Sequence, residues 1–90
     1  MRRRVVVTGV GLVTPLGIGV QETWEGLCAG RSGVGLVSRF DTSDYAVKIA
    51  AEVKDFEVED FIDKKVAKHL ELFVQYAMVA AKMAHEDSGL

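Results

Sequence analysis

The 90-residue sequence contains a single cysteine, Cys28, and a single proline, Pro15. One cysteine excludes an intrachain disulfide and is typical of a protein in the reducing cytoplasm. Cys28, His69 and His85 also lack the spacing of metal ligands, so the sequence predicts no metal site.

Strong net charge and long apolar runs are lacking as well. The formal net charge is -2 at pH 7, which indicates no general affinity for nucleic acid. No apolar run is long enough to span a membrane. The opening arginines and valines resemble the start of a signal peptide, but Thr and Gly interrupt the apolar run and no small-residue cleavage site follows. These features favour a cytoplasmic protein whose partners are neither nucleic acid nor membrane.

Apolar residues are abundant for so short a chain, at 49%. Val5, Val6 and Val7 are followed by Gly9 and Gly11, which predicts a buried strand that runs into a tight turn. A strand of this kind usually needs cover on both faces, and so short a chain holds few elements that could provide it. We therefore expect the chain to be the front portion of a larger α/β protein.

The two glycines also suggest a dinucleotide-binding turn. In that motif a third glycine would stand at Thr14 and a helix would begin near Gly11, whereas Pro15 follows here. The position of the ribose partner is occupied by Arg31. The sequence therefore predicts no cofactor, and it favours glycines that let a neighbouring backbone pack closely.

Hydrophobic periodicity predicts three further elements. A short amphipathic helix is expected over residues 20–29, with Cys28 on its apolar face as a buried structural thiol. Strict alternation predicts a strand over 47–54 with one exposed face. A helix that is apolar nearly all round, and therefore buried, is expected over 67–87.

The connection over residues 31–46 is predicted to be a long loop. Its succession of Asp41, Thr42 and Ser43 favours turns. Apolar residues, among them Val34, Leu36 and Phe40, are expected to hold it against the rest of the protein.

The sign of the charge reverses abruptly before the last helix. Six carboxylates lie between Glu52 and Asp63, and Lys64, Lys65 and Lys68 follow, with His69 alongside. One interpretation is a solvated turn with internal ion pairs. The other is a positive patch that attracts an acidic partner. From the residues alone we favour the solvated turn, because charge runs usually serve solvation.

Several short motifs occur together in a particular order. They lie at residues 5–17, 23–24, 30–33, 40–43 and 87–90. Their succession resembles the N-terminal segment of the β-ketoacyl-[acyl-carrier-protein] synthase II family. The resemblance implies a thiolase-like layered α-β-α-β-α fold, of which residues 1–90 are an incomplete N-terminal part of one domain. It also implies a homodimer that elongates fatty acids by condensing an acyl-thioester with malonyl-[acyl-carrier-protein], with loss of carbon dioxide.

The resemblance implies no catalytic residue within this segment. The family's nucleophilic cysteine, two histidines and supporting lysine correspond to positions beyond Leu90. Cys28 matches a position that is ordinarily aliphatic in the family, and His69 and His85 fall outside its histidine motifs.

The resemblance does imply a docking surface. Lys65 and Lys68 match basic positions that receive the acidic recognition helix of the acyl carrier protein in similar synthases, and Lys64 is adjacent. His69 replaces a residue that is often basic there, so its contribution would grow only on protonation. With the resemblance, docking becomes the favoured role of these lysines.

Two alternatives remain open. One is a non-condensing, chain-length-factor-like subunit that pairs with an active synthase. The other is a stand-alone module that binds the carrier protein, which the strongly apolar last helix argues against.

Overall fold

The computed structural model describes residues 2–90 and confirms a mixed α/β composition. Its elements are β1 (Val13–Thr14), β2 (Gly17–Ile18), α1 (Val20–Cys28), β3 (Val34–Leu36), β4 (Ile49–Ala51), a 3₁₀ turn (Val58–Asp60), α2 (Lys64–Ala67) and α3 (Leu72–Ser88). Strands β1 and β2 form one two-stranded sheet, and β3 and β4 form another. The chain divides into two compact units, residues 14–56 and residues 2–13 with 57–90.

The turn between β1 and β2 is organised by the hydroxyl group of Thr14. The backbone N–H groups of Leu16 and Gly17 each donate to Thr14 Oγ1, at 3.2 Å. The same oxygen lies 2.9 Å from Oγ1 of Thr23, which is buried on α1 and donates to the carbonyl of Gly19 at 2.8 Å. Because the hydroxyl groups of Thr14 and Thr23 both have hydrogen-bond partners, the cost of removing them from water is offset where α1 packs on the turn. The chain thus leaves β1 through a turn and not a helix, as predicted.

Helix α1 ends one residue before the predicted boundary. Gly30 adopts φ 69°, a left-handed conformation that glycine accepts without strain, and Arg31 N–H then donates to the Gly26 carbonyl at 2.9 Å. The prediction of a buried Cys28 is wrong for the described chain, where this residue is exposed. The face of α1 that is buried holds Thr23 and Gly26, so its apolar face is the uncovered one.

The predicted strand over 47–54 exists but is shorter. Strand β4 pairs antiparallel with β3, with Gly35 opposite Ala50. Strand β3 lies inside the connection that we predicted to be a loop, because three residues with a central glycine carry too little alternation to be recognised. Both strands have exposed side chains, so the apolar face of β4 is uncovered within the described residues.

Polar contacts hold the rest of this connection in place. Asp41 Oδ1 accepts the Ser43 N–H at 2.9 Å, which confirms the predicted turn. Lys48 Nζ donates to the carbonyls of Thr42, Ser43 and Tyr45, at 2.9, 3.2 and 2.8 Å. The connection is therefore fixed as predicted, but three of its four expected apolar anchors, Val34, Leu36 and Phe40, are exposed. The fourth, Val37, is half-buried.

The opening segment differs most from its prediction. Val5, Val6 and Val7 form no strand, and they are 90%, 67% and 82% exposed. A strand requires a neighbour that accepts and donates its backbone hydrogen bonds, and no strand within residues 2–90 pairs with this segment.

Gly9 and Gly11 nevertheless pack closely against α3, as predicted. A Cβ atom on Gly11 would collide with the main-chain oxygen of Ala80, and one on Gly9 would collide with that of Ala84. Between them, Val10 N–H donates to Asp87 Oδ2 at 3.0 Å. Only glycine lets two backbone segments approach so closely, because any other residue would place a Cβ atom between them.

Helix α3 begins five residues later than predicted. The preceding residues form α2 and a turn over 68–70. Val79 is the only fully buried side chain of α3 among the described residues, and Phe73 and Met78 are exposed. The other elements of the described chain cover only one side of α3. Burial of the helix nearly all round, which needs the cover of a larger protein, therefore stays a prediction.

Candidate functional site

The three lysines that the sequence singles out lie on and directly after one short helix. Lys64 and Lys65 belong to α2, and Lys68 is its C-cap residue. The helix begins there because Asp63 Oδ1 accepts the backbone N–H of Lys65 at 2.9 Å. An Asp at this position satisfies one of the free donors of a first turn. We call Lys64, Lys65 and Lys68 the basic cluster.

The C-terminal end of α2 is anchored on α3. Ala67 is 3% exposed. Gln75 Nε2 donates to the carbonyl of Ala67 at 3.1 Å and to that of Leu70 at 3.2 Å. The Ala67 carbonyl also accepts the backbone N–H of Leu70 at 3.0 Å, so Gln75 joins α3 to a turn that has its own backbone hydrogen bond.

The chain that enters α2 is anchored on the same helix. Lys82 Nζ donates to the Phe61 carbonyl at 2.7 Å. Val58, Phe61 and Ile62, which precede α2, are half-buried. Side chains of α3 therefore hold the chain both before α2 and at its C-terminal end.

The charges of the basic cluster face solvent. Lys64, Lys65, Lys68 and the adjacent His69 are all exposed. Within residues 2–90, no carboxylate lies within ion-pair distance of the three ammonium groups, and the one ion pair found joins Arg39 and Glu52 at 3.9 Å. The internal ion pairs that a solvated turn would contain are thus absent from this part of the described chain, and the positive charges are available to a partner.

The Arg39–Glu52 pair belongs to a polar cluster beside β3 and β4. Ser38 Oγ donates to Glu52 Oε1 at 2.9 Å, and Arg39 Nη2 donates to the Val53 carbonyl at 2.9 Å. The hydrogen bond from the Ser38 hydroxyl is the main cause that lowers the pKa of Glu52. Burial, the next largest effect, opposes it, and the Ser38 N–H and Arg39 lower the pKa further. Since these groups satisfy one another, the cluster fastens two chain segments and offers no free group for chemistry.

The remaining candidate residues are dispersed. Cys28 ends α1, His69 follows α2, and His85 lies in the last turn of α3. No group of three or more His, Cys, Asp or Glu side chains in residues 2–90 could hold a metal ion. None of the helices described there is both long enough and apolar enough to cross a membrane.

Sequence reasoning missed the roles of Gln75 and Lys82. Their separation of seven residues puts them on one face of α3, and a pair of side-chain donors on an otherwise apolar helix was the signal that could have identified them.

The fold and the site define a class of protein segment. It is an α/β segment with an exposed basic helix and, within residues 2–90, no group of catalytic residues. The sequence model of the β-ketoacyl synthase N-terminal domain matches residues 2–90. The chain belongs to this family. The resemblance stated from the motifs is thereby confirmed.

Curated relatives agree with this assignment. The chain is 49% identical over 89 residues to the 3-oxoacyl-[acyl-carrier-protein] synthase 2 of Coxiella burnetii, covering 99% of this chain and 22% of that protein. It is 45% identical over 89 residues to the protein of the same name from Synechocystis, covering 99% and 21%. The chain thus spans about a fifth of the length of these relatives.

A solved structure shows the same fold. The ishigamide ketosynthase/chain length factor matches with a TM-score of 0.81 and 44% identity, over 100% of this chain and 22% of the other. The thiolase-like α/β fold class predicted from the resemblance is confirmed.

Proposed function

We propose that the chain is the N-terminal part of a 3-oxoacyl-[acyl-carrier-protein] synthase, an acyltransferase that elongates fatty acids. The names of the relatives and their 45–49% identity support this activity. In the proposed reaction an acyl-thioester condenses with malonyl-[acyl-carrier-protein] and carbon dioxide leaves. The catalytic cysteine, histidines and lysine belong to the part of the family's length that residues 1–90 do not span, and the complete protein acts as a homodimer.

Within that enzyme, the basic cluster docks the acyl carrier protein. The observation that carries this proposal is the exposure of Lys64, Lys65 and Lys68 without a carboxylate partner, on a helix held at both ends. Unpaired ammonium groups on a fixed support favour a partner with an acidic surface. Charges at the rim of an interface act mainly on the association rate, and salt screens them strongly.

A double charge reversal tests the docking role. In the full-length enzyme, Lys65→Glu with Lys68→Glu should weaken affinity for the carrier protein by about 10-fold at low salt, because two attractive contacts become repulsive. Turnover of a small acyl-thioester that lacks the carrier should remain close to that of the wild type. Affinity is measured by titration at several salt concentrations, and turnover is measured separately.

The matched control is Arg2→Glu with Arg3→Glu, which changes net charge equally at exposed residues outside α2. Equal losses of affinity in the two variants would show that general charge, and not the basic cluster, attracts the partner. Equal loss on both substrates in the lysine variant would show that these residues support folding.

A chain-length-factor-like subunit is the second candidate function. It is supported by the similarity to a solved structure that is named for a chain length factor together with a ketosynthase. Incubation of the full-length protein with an acyl-thioester separates the two, since only the condensing enzyme forms a covalent acyl-cysteine that mass spectrometry detects. The Cys28→Ala variant should still be acylated, because the proposed nucleophile lies elsewhere.

A further inference from the structure

We propose that Gln75 is a positioning residue that sets where the basic cluster points. The inference deepens the docking role and rests on the proposed function. Gln75 is half-buried on α3 and is not a member of the basic cluster. Its amide group nevertheless controls the orientation of that exposed surface.

Helix α2 cannot hold its own orientation. It has four residues, and a single turn of helix is unstable without tertiary contacts. Besides its contact with the 3₁₀ turn, it is held by the buried Ala67 and by the two carbonyls that accept from Gln75 Nε2, at 3.1 and 3.2 Å. One –NH₂ group supplies both hydrogens, so both contacts depend on a single side chain.

The two carbonyls flank the basic cluster at its C-terminal end. Ala67 directly precedes Lys68, and Leu70 follows two residues later, so the amide of Gln75 clamps the backbone on either side of this lysine. The hydrogen bond from Lys82 to Phe61 holds only the entry to α2. Without Gln75, the C-terminal end of α2 and the turn after it would keep the backbone hydrogen bond from Leu70 to Ala67, but they would lose their hydrogen bonds to α3 and be free to shift against it.

Such a movement matters because of the range of the interaction. Salt at physiological concentration screens the attraction between exposed charges that are more than about 8–10 Å apart. A lysine that samples several positions contacts a docked carboxylate for only part of the time. Loss of the Gln75 clamp should therefore weaken docking while every lysine is still present.

The test is Gln75→Met in the full-length enzyme. Met has a similar length and no donor, so it keeps the packing and removes both hydrogen bonds. Backbone amides over residues 64–70 should exchange with deuterium faster than in the wild type. Affinity for the acyl carrier protein should fall about 3- to 10-fold, with a shallower dependence of affinity on salt, while turnover of the small acyl-thioester is unchanged.

Two further variants sharpen the test. Gln21→Met removes an exposed amide on α1 that donates to Glu25, and it should change neither exchange over 64–70 nor affinity. Gln75→Asn withdraws the same amide by one methylene group, and it should cause the same changes to a smaller extent.

The outcomes separate this inference from the proposed function. Unchanged exchange over 64–70, or unchanged affinity where the Lys65→Glu, Lys68→Glu variant is weakened, overturns the positioning role alone. A parallel loss of small-substrate turnover in the Gln75 variants would also overturn it, since Gln75 would then be merely structural. Full affinity in the double-lysine variant would refute the docking function itself, whatever the exchange over 64–70.

Discussion

Several side chains in this protein hold backbone segments in place by donating hydrogen bonds to main-chain carbonyls. Lys48, Lys82 and Gln75 each donate to main-chain carbonyls of another segment. The lysines of the basic cluster, in contrast, contact no carboxylate in the described chain. This difference distinguishes the lysines that stabilise the fold from those that remain available for a partner.

Glu52 should make stability depend on pH in the acid range. Its pKa in the folded protein lies below the ordinary value of 4.5, so its contribution is complete above that value and disappears as the pH falls through the folded pKa. Glu52→Gln should therefore lower the melting temperature at pH 7, and its difference from the wild type should shrink toward pH 3. Melts of the full-length protein at a series of pH values measure this.

Glu57→Gln is the control, because Glu57 is exposed and its carboxylate has no hydrogen-bond partner in residues 2–90. It should alter the melting temperature little at any of these pH values. A Glu52→Gln difference that stayed constant from pH 7 to pH 3 would contradict the assigned role of the carboxylate.

The exposure of the lysines could be predicted from the sequence, but the exposure of Cys28 could not. A reversal of charge within a few residues is visible without a structure. Burial on one face of a helix depends instead on which neighbour covers it, and α1 packs through Thr23 and Gly26 rather than through its apolar face.

Among the elements, types were easier to predict than boundaries. Helix α1 and strand β4 were recognised from their periodicity. The break between α2 and α3 was not, because the apolar pattern continues through it. It is held by a tertiary contact and by local backbone hydrogen bonds, since Gln75 donates to the carbonyls of Ala67 and Leu70 and the Leu70 N–H donates to the Ala67 carbonyl.

The contact between residues 9–11 and α3 gives a prediction about how these two parts of the chain pack. Gly11→Ala should destabilise the full-length protein by about 1–3 kcal/mol or prevent its folding, because the added methyl group meets backbone that cannot move aside. Gly35→Ala is the matched control. No atom lies within 4 Å of a Cβ at Gly35, and its effect should stay within about 0.5 kcal/mol.

Chemical unfolding of both variants measures these differences. If Gly11→Ala were as stable as Gly35→Ala, the close approach of residues 9–11 to α3 would be refuted.

At the scale of the whole molecule, large apolar surfaces remain uncovered. Only Ala67 and Val79 are buried hydrophobic residues among those described, while Val5, Val7 and Leu36 are largely exposed. The sequence indicated more apolar surface than ninety residues can bury, and the structure agrees. The predicted opening strand failed for the same reason, since its pairing depends on strands that residues 2–90 do not contain. That residues 1–90 form part of a larger domain stays a prediction.

The central claim is that the basic cluster is the surface on which an acidic carrier protein docks. The most direct measurement is the rate at which each lysine of the full-length enzyme is acetylated by a small reagent, with and without saturating acyl carrier protein, read by mass spectrometry. Lys64, Lys65 and Lys68 should become protected, while Lys48 and Lys54, which donate to main-chain carbonyls, should react as before. Unchanged labelling of all three cluster lysines in the saturated complex would contradict the claim.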